Sequence, residues 1–105
     1  MRAEGNARED RPRLVAPDGA CDCHMHVYDR RYKPAPTALF PPPDAPADAY
    51  SVVQRQLGLT RAVVVQPNAY AFDNACTADA IVRFGANARG VATIRPDTAE
   101  AEIGR

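Results

Sequence analysis

Residues 61–67 read R-A-V-V-V-Q-P. An unbroken β-branched run closed by a proline, which has no N–H to give to a ladder, is the pattern of an interior strand of a parallel sheet. Working back from it, residues 47–57 form a helix opened by Pro46 and Asp48. Tyr50, Val53 and Leu57 lie at i, i+3 and i+7, and Gly58 is placed as the C-terminal stop. Earlier still, residues 20–28 read A-C-D-C-H-M-H-V-Y, short and continuous, which suits a strand buried on both faces. Working forward, Asp73 caps a helix running through Phe84, with Thr77, Ala80, Ile81 and Phe84 as its stripe and Gly85 near its stop. Residues 90–94, G-V-A-T-I, give a third strand closed by Pro96, after which Asp97 or Thr98 caps a helix beginning A-E-A-E-I.

Strand and helix alternating at about 30 residues per unit predict an α/β fold with parallel strands. Such strands need cover on both faces, and three of them leave two open edges. The composition is too thin to supply that cover, since of 105 residues 20 are Ala, while Ile, Leu, Val and Phe together number 19. The expectation is therefore the first three βα units of a (β/α)8 TIM barrel of roughly 250 residues, incomplete here and cut off within its last helix. Residues 18–105 form the N-terminal part of that barrel domain. Residues 1–17, charged and without period, are expected to be a disordered leader.

Charge excludes one class of function. Thirteen Lys+Arg against 13 Asp+Glu leave a formal net charge of zero, so no basic face is available to neutralise a phosphate backbone and nucleic acid is not an expected partner. No run approaches the roughly 18–20 apolar residues of a membrane span, and the first twenty residues lack an apolar signal core, so the expected setting is cytoplasmic with no membrane partner. Three cysteines, two of them only two apart, do not make a disulfide scaffold.

The chemistry concentrates around the first strand. Period 2 predicts Asp22, His24 and His26 on one face and Cys21, Cys23, Met25 and Val27 on the other. Two imidazoles at i and i+2 can converge on one divalent ion or one substrate oxyanion, with Asp22 orienting a neighbour, and the C-terminal ends of parallel strands are where such folds place their sites. The stretch from 29 to 46, with six prolines, is a long loop directly after the histidines and is expected to serve function. A different reading of C-D-C-H-M-H is a small metal-binding module made from Cys21, Cys23, His24 and His26. It requires a loop, because strand alternation separates thiols from imidazoles. Cys76 reads as a small buried hydrophobe.

These segments in order resemble the N-terminal part of the amidohydrolase-related (amidohydrolase 2) hydrolases, with the 2-pyrone-4,6-dicarboxylate lactonase group as the nearest likeness. The resemblance runs over C-D-C-H-M-H-V-Y, then R-Y-K-P, then V-V-V-Q-P-N-A-Y-A-F-D-N, then A-R-G-V-A-T-I-R-P-D, and so spans roughly residues 17–105. It implies a (β/α)8 barrel hydrolase acting on lactones, esters or amides, often with a divalent metal, zinc first, although the lactonase group can dispense with it. His24 and His26 match the H-x-H that holds metal in most members and lies at the substrate in the lactonase group. Tyr32 matches a loop tyrosine that touches substrate. Asn68 stands where that group has a small polar residue, and its amide can hydrogen-bond a substrate carboxylate. Read from the residues alone, Tyr32 also suits a rim anchor and Asn68 a turn residue after Pro67. Phe72-Asp73-Asn74 departs from the usual T-D-N in its first residue.

The resemblance implies further ligands, a catalytic Asp and carboxylate-binding arginines from later strands, and the chain has only 2 His. Two readings follow. One is a lactone- or ester-cleaving hydrolase of an acidic organic compound, with His24 and His26 at metal or substrate and Tyr32 and Asn68 orienting it, and with these 105 residues inactive alone. The other is a truncated non-catalytic polypeptide that self-associates or needs a partner chain supplying the remaining barrel.

Overall fold

The computed structural model describes residues 11–104. Three strands, β1 (Cys21–Met25), β2 (Arg61–Val65) and β3 (Ala88–Val91), form one parallel sheet in the order β1-β2-β3. Helix α1 (Ala47–Leu57) joins the first pair of strands, α2 (Ala75–Phe84) joins the second, and the short α3 (Glu100–Ile103) follows β3. Single 3-10 turns at Asn68–Tyr70 and Gly85–Asn87 flank α2. The first ten residues of the expected leader lie outside the described residues, and residues 11–20 carry no helix or strand.

Sequential order distinguishes this sheet from a doubly wound one, in which strand order reverses and helices cover both faces. Here a single core cluster takes Met25 and Val27 from the β1 segment, Ala62 and Val64 from β2, Ala47 from α1, and Cys76 and Ala80 from α2. Both crossover helices therefore lie on one side. On the other side His24 and His26 are exposed and Val63 and Val65 half-buried. The expectation that β1 is buried on both faces is corrected accordingly: within the described residues only the helix side of the sheet is covered.

A second correction concerns β1 itself. Asp22 pairs with Ala62 and Met25 with Val64, so Cys23 and His24 together stand opposite Val63. This is a β-bulge, and the extra residue reverses the alternation. Asp22 ends up level with buried Ala62 on the helix side, not on the histidine side. There its Oδ2 accepts the Tyr50 hydroxyl of α1 at 2.8 Å.

Helix α1 has the expected limits, and Gly58 closes it at φ 72° with backbone bonds to the Arg55 and Gln54 carbonyls. Its buried side is set by Ala47 and Tyr50, with Ser51 and Gln54 half-buried; Val53 and Leu57 of the expected stripe are 44% and 39% exposed. Helix α2 buries Cys76, Thr77 and Ala80, with the Cys76 thiol directed at the Val27 carbonyl. Asp73 stands two residues before the helix, where its Oδ1 accepts the Ala75 N–H at 3.1 Å. Strand β3 starts two residues earlier than expected because Ala88, only 2% exposed, is the residue that pairs with Ala62. Gly90 is bare for a reason: a Cβ there would overlap Ile81 Cδ1 of α2. Neither Asp97 nor Thr98 caps α3, whose N-cap is Ala99; the Thr98 hydroxyl instead accepts the Arg95 N–H.

The loop after β1 is closed at its base. Tyr28 and Ala45 exchange both backbone hydrogen bonds at 3.0 Å, and Ala35 N–H donates to the Ala69 carbonyl at 2.7 Å. The proline-rich segment thus sits as a cover beside the turn that follows β2.

Candidate active site

At the bulge, β1 turns His24 and then His26 to the uncovered side of the sheet, with ring centroids 5.1 Å apart and the rings perpendicular. His26 Nδ1 lies 2.9 Å from the carbonyl oxygen of Val65, the last residue of β2. A carbonyl only accepts, so the neutral ring carries its proton on Nδ1 and leaves Nε2 as the free lone pair. His24 is fixed through its backbone, its N–H donating to Asp22 Oδ1 at 3.2 Å. Burial first, and then the Asp22 carboxylate, push the Tyr50 phenol well above its ordinary range, so it remains a donor to Asp22. Asp22 thus braces the bulge from the helix side, while the imidazoles face away.

Asn68 opens the turn after Pro67 and is exposed. It borders a hollow of about 750 Å³ with Tyr28, Leu39, Phe40, Phe72 and Thr93. The Tyr28 ring stands 6.0 Å from that of His26, so this hollow adjoins the histidines. Tyr32 is held elsewhere. Its hydroxyl donates to Asp79 of α2, its ring meets that of Tyr70 at 6.4 Å, and the Arg31 guanidinium lies 5.8 Å from its centroid. The structure therefore brings His24 and His26 together, puts Asn68 beside the adjoining hollow, and ties Tyr32 to α2 and Tyr70.

Three positioning residues are not evident from the sequence. Gln66, 5% exposed, donates from Nε2 to the Ala71 and Asp73 carbonyls at 2.9 and 2.8 Å and accepts the Thr77 hydroxyl at 2.6 Å. It clamps a turn in which Ala71 sits at φ 48°, a conformation costing an L-residue about 1–3 kcal/mol. Tyr70, 3% exposed, both accepts the Asp29 N–H and donates to the Asp29 carbonyl, joining the loop after β1 to the turn after β2. Asn74 makes two bonds to the Thr93 backbone, at 2.9 and 3.0 Å, and so anchors the segment after β3. The one legible signal among the three is a polar Gln ending an apolar run.

The pair of imidazoles has the donor chemistry and shared side to serve as two ligands of a divalent ion. Among the described residues no group of three or more His, Cys, Asp or Glu side chains is gathered closely enough to hold one. For the mixed Cys/His reading, Cys23 is exposed and its thiol is directed at the Cys21 carbonyl.

Residues 21–105, from the bulged strand to the last helix, match the amidohydrolase family model. The chain belongs to the amidohydrolase family. It is 37% identical over 86 residues to a 4-sulfomuconolactone hydrolase of Rhizobium radiobacter, covering 74% of this chain and 27% of that protein. It is 34% identical over 99 residues to a 2-pyrone-4,6-dicarboxylate hydrolase of Comamonas testosteroni, covering 92% of this chain and 32% of the relative. A solved apo structure from Agrobacterium tumefaciens superposes with a TM-score of 0.80 at 30% identity, over 89% of this chain and 35% of its own. This amidohydrolase chain thus spans about a third or less of the relatives it matches. The two curated relatives are named as hydrolases, and the mixed α/β fold of this chain, with three parallel strands, is that of the solved neighbour. No helix among the described residues is long and apolar enough to cross a membrane.

Proposed function

We propose that this chain contributes the first strand–helix units and the histidine wall of a hydrolase that opens a lactone, or another carboxylic ester, of an acidic organic compound. The observation carrying the reading is the His24–His26 pair on the uncovered side of the sheet, with His26 Nδ1 engaged by the Val65 carbonyl. The names of two relatives, both lactone hydrolases, support the bond class.

In this reading the uncovered side of the sheet faces the interior of a (β/α)8 barrel whose later strands come from further chain or from a partner polypeptide. A second copy covering that face by self-association is the other arrangement consistent with two open edges. The Nε2 atoms of His24 and His26 would hold a divalent metal, zinc first. Such an ion supplies Lewis-acid polarisation of the scissile carbonyl. A metal-independent course is open to the same segment, with the His24 imidazole N–H donating to the developing oxyanion, since the His26 proton is engaged by the Val65 carbonyl. Asn68 donates from its amide to a substrate carboxylate in the adjoining hollow. Tyr32 would join the substrate only after its hydroxyl leaves Asp79. These 105 residues alone are expected to turn over no lactone.

The test is a chimera in which residues 21–105 replace the matching segment of the Comamonas 2-pyrone-4,6-dicarboxylate hydrolase. Hydrolysis of 2-pyrone-4,6-dicarboxylate by the chimera, and its loss on His24→Ala, supports the reading. A folded chimera that hydrolyses no lactone, or one indifferent to His24→Ala, overturns it.

A further inference from the structure

Lys33 is the only lysine of the chain, and with Arg95 it lines a cleft of about 530 Å³ that no role so far described uses. The walls are Pro34 and Pro36 from the loop after β1 and Tyr70 and Phe72 from the turn after β2. The Arg95 guanidinium carbon lies 4.2 Å from the Phe72 ring centroid. Stacking of this kind holds a guanidinium by its face and leaves its N–H groups at the edge for a planar acceptor. The ion pairs among the described residues are Arg30–Asp44, Arg31–Asp29 and Arg83–Asp48, so neither Lys33 nor Arg95 is engaged by a described carboxylate. Asp73 is the one carboxylate lining the cleft, and its Oδ1 already accepts the Ala75 N–H. Asp97 and Glu102 border a different hollow that Arg95 also touches.

Phe72 borders both this cleft and the hollow that Asn68 borders.

We propose that the Lys33–Arg95 cleft binds a carboxylate of a planar, unsaturated acid, with the apolar plane against Pro34 and Pro36 and the carboxylate bidentate on Arg95. The inference rests on the proposed function in one respect: it assigns the cleft to an acid group of the substrate remote from the bond that is cut. Lys33 adds a second, flexible point charge, and Phe72 holds Arg95 in place.

The test titrates the full chain with isophthalate, a planar dicarboxylate that cannot be hydrolysed, with NMR signals of the single lysine and of the Arg95 Nε–H as reporters. The same titration is run on the chimera. Saturable shifts at Lys33 and Arg95 are expected, weakened about tenfold or more by Arg95→Gln and less by Lys33→Gln, with Arg95→Lys only a partial rescue. Isophthalamide, the neutral analogue, should not bind. Shifts confined to the histidines, equal binding of isophthalamide, or indifference to Arg95→Gln overturn the proposal. In the chimera Arg95→Gln should raise KM for a dicarboxylate lactone with kcat little changed. Isophthalate binding at Arg95 in a chimera without lactonase activity would sink the proposed function and leave the cleft. Activity without such binding would do the reverse.

Discussion

The two faces of the three-stranded sheet are built on opposite principles. On the helix side, Val64 is fully buried, Met25, Val27, Ala62 and Ala80 are nearly so, and the polar groups there are matched: Thr77 with Gln66, Tyr50 with Asp22. On the other side lie the exposed imidazoles of His24 and His26, half-buried Val63 and Val65, and the exposed Arg89 and Val91 that pair with those valines, and His26 bonds across the strands to a backbone carbonyl. Strand β1 can serve both faces only because its bulge changes parity between Asp22 and His24. A regular strand would have sent the carboxylate and the imidazoles the same way. Burial is concentrated on one face, and the proposed function places the chemistry on the other, so substitutions should separate the two.

The largest effect is expected for His24→Ala in the chimera, a fall in kcat/KM of about 100-fold or more, with a melting temperature close to that of the parent. A loss of stability as large as the loss of rate would break the contrast. Next, Val64→Ala should cost about 1.5–3 kcal/mol in denaturant unfolding. Val82→Ala, on a side chain 81% exposed, should stay within about 0.5 kcal/mol. Equal losses at the two valines would mean that the helix face is not the core. Thr77→Val leaves the Gln66 oxygen without its buried donor and should cost about 1–3 kcal/mol by the same measurement; a neutral result would mean that the Thr77 hydroxyl does not hold the Gln66 amide in place. The smallest effect is acid dependence. Hydrogen bonds from Arg31 hold the Asp29 carboxyl below its ordinary range, and Arg83 does the same for Asp48. A depressed folded-state pKa gives stability that is fully present above the unfolded value, about 3.9, and lost as pH falls through the folded one. Melting temperatures between pH 6 and pH 2 should show a shallower acid limb for Asp29→Asn than for the parent.

Much of the fold was legible because its signals are local. The R-A-V-V-V-Q run, the limits of α1 and its Gly58 stop, and the small buried Cys76 all follow from periodicity and from residues with one conformational use. The histidine pair was legible for the same reason, since i and i+2 on an extended segment share a side. What escaped depends on pairing partners distant in sequence. The bulge exists only in the register of β1 against β2, so no property of C-D-C-H-M-H shows that Asp22 turns toward α1. The early start of β3 is fixed by Ala88 meeting Ala62, not by G-V-A-T-I. The α1 stripe shifted because Tyr50, drawn to Asp22 and to the Phe84 ring at 5.8 Å, sets the rotation of the helix. Tyr32 points to a pairing with Asp79, 47 residues away, that local pattern does not contain.

The division of the sheet into one face for stability and one for reaction is tested most directly by a crossed pair of variants. Measured on the same chimera preparations, His26→Ala should lower kcat/KM by about 100-fold or more while shifting the melting temperature little, and Val64→Ala should lower the melting temperature while leaving kcat/KM near that of the parent. If His26→Ala unfolds the chimera and leaves the residual folded fraction fully active, or if Val64→Ala abolishes turnover without loss of stability, the assignment of the two faces is wrong.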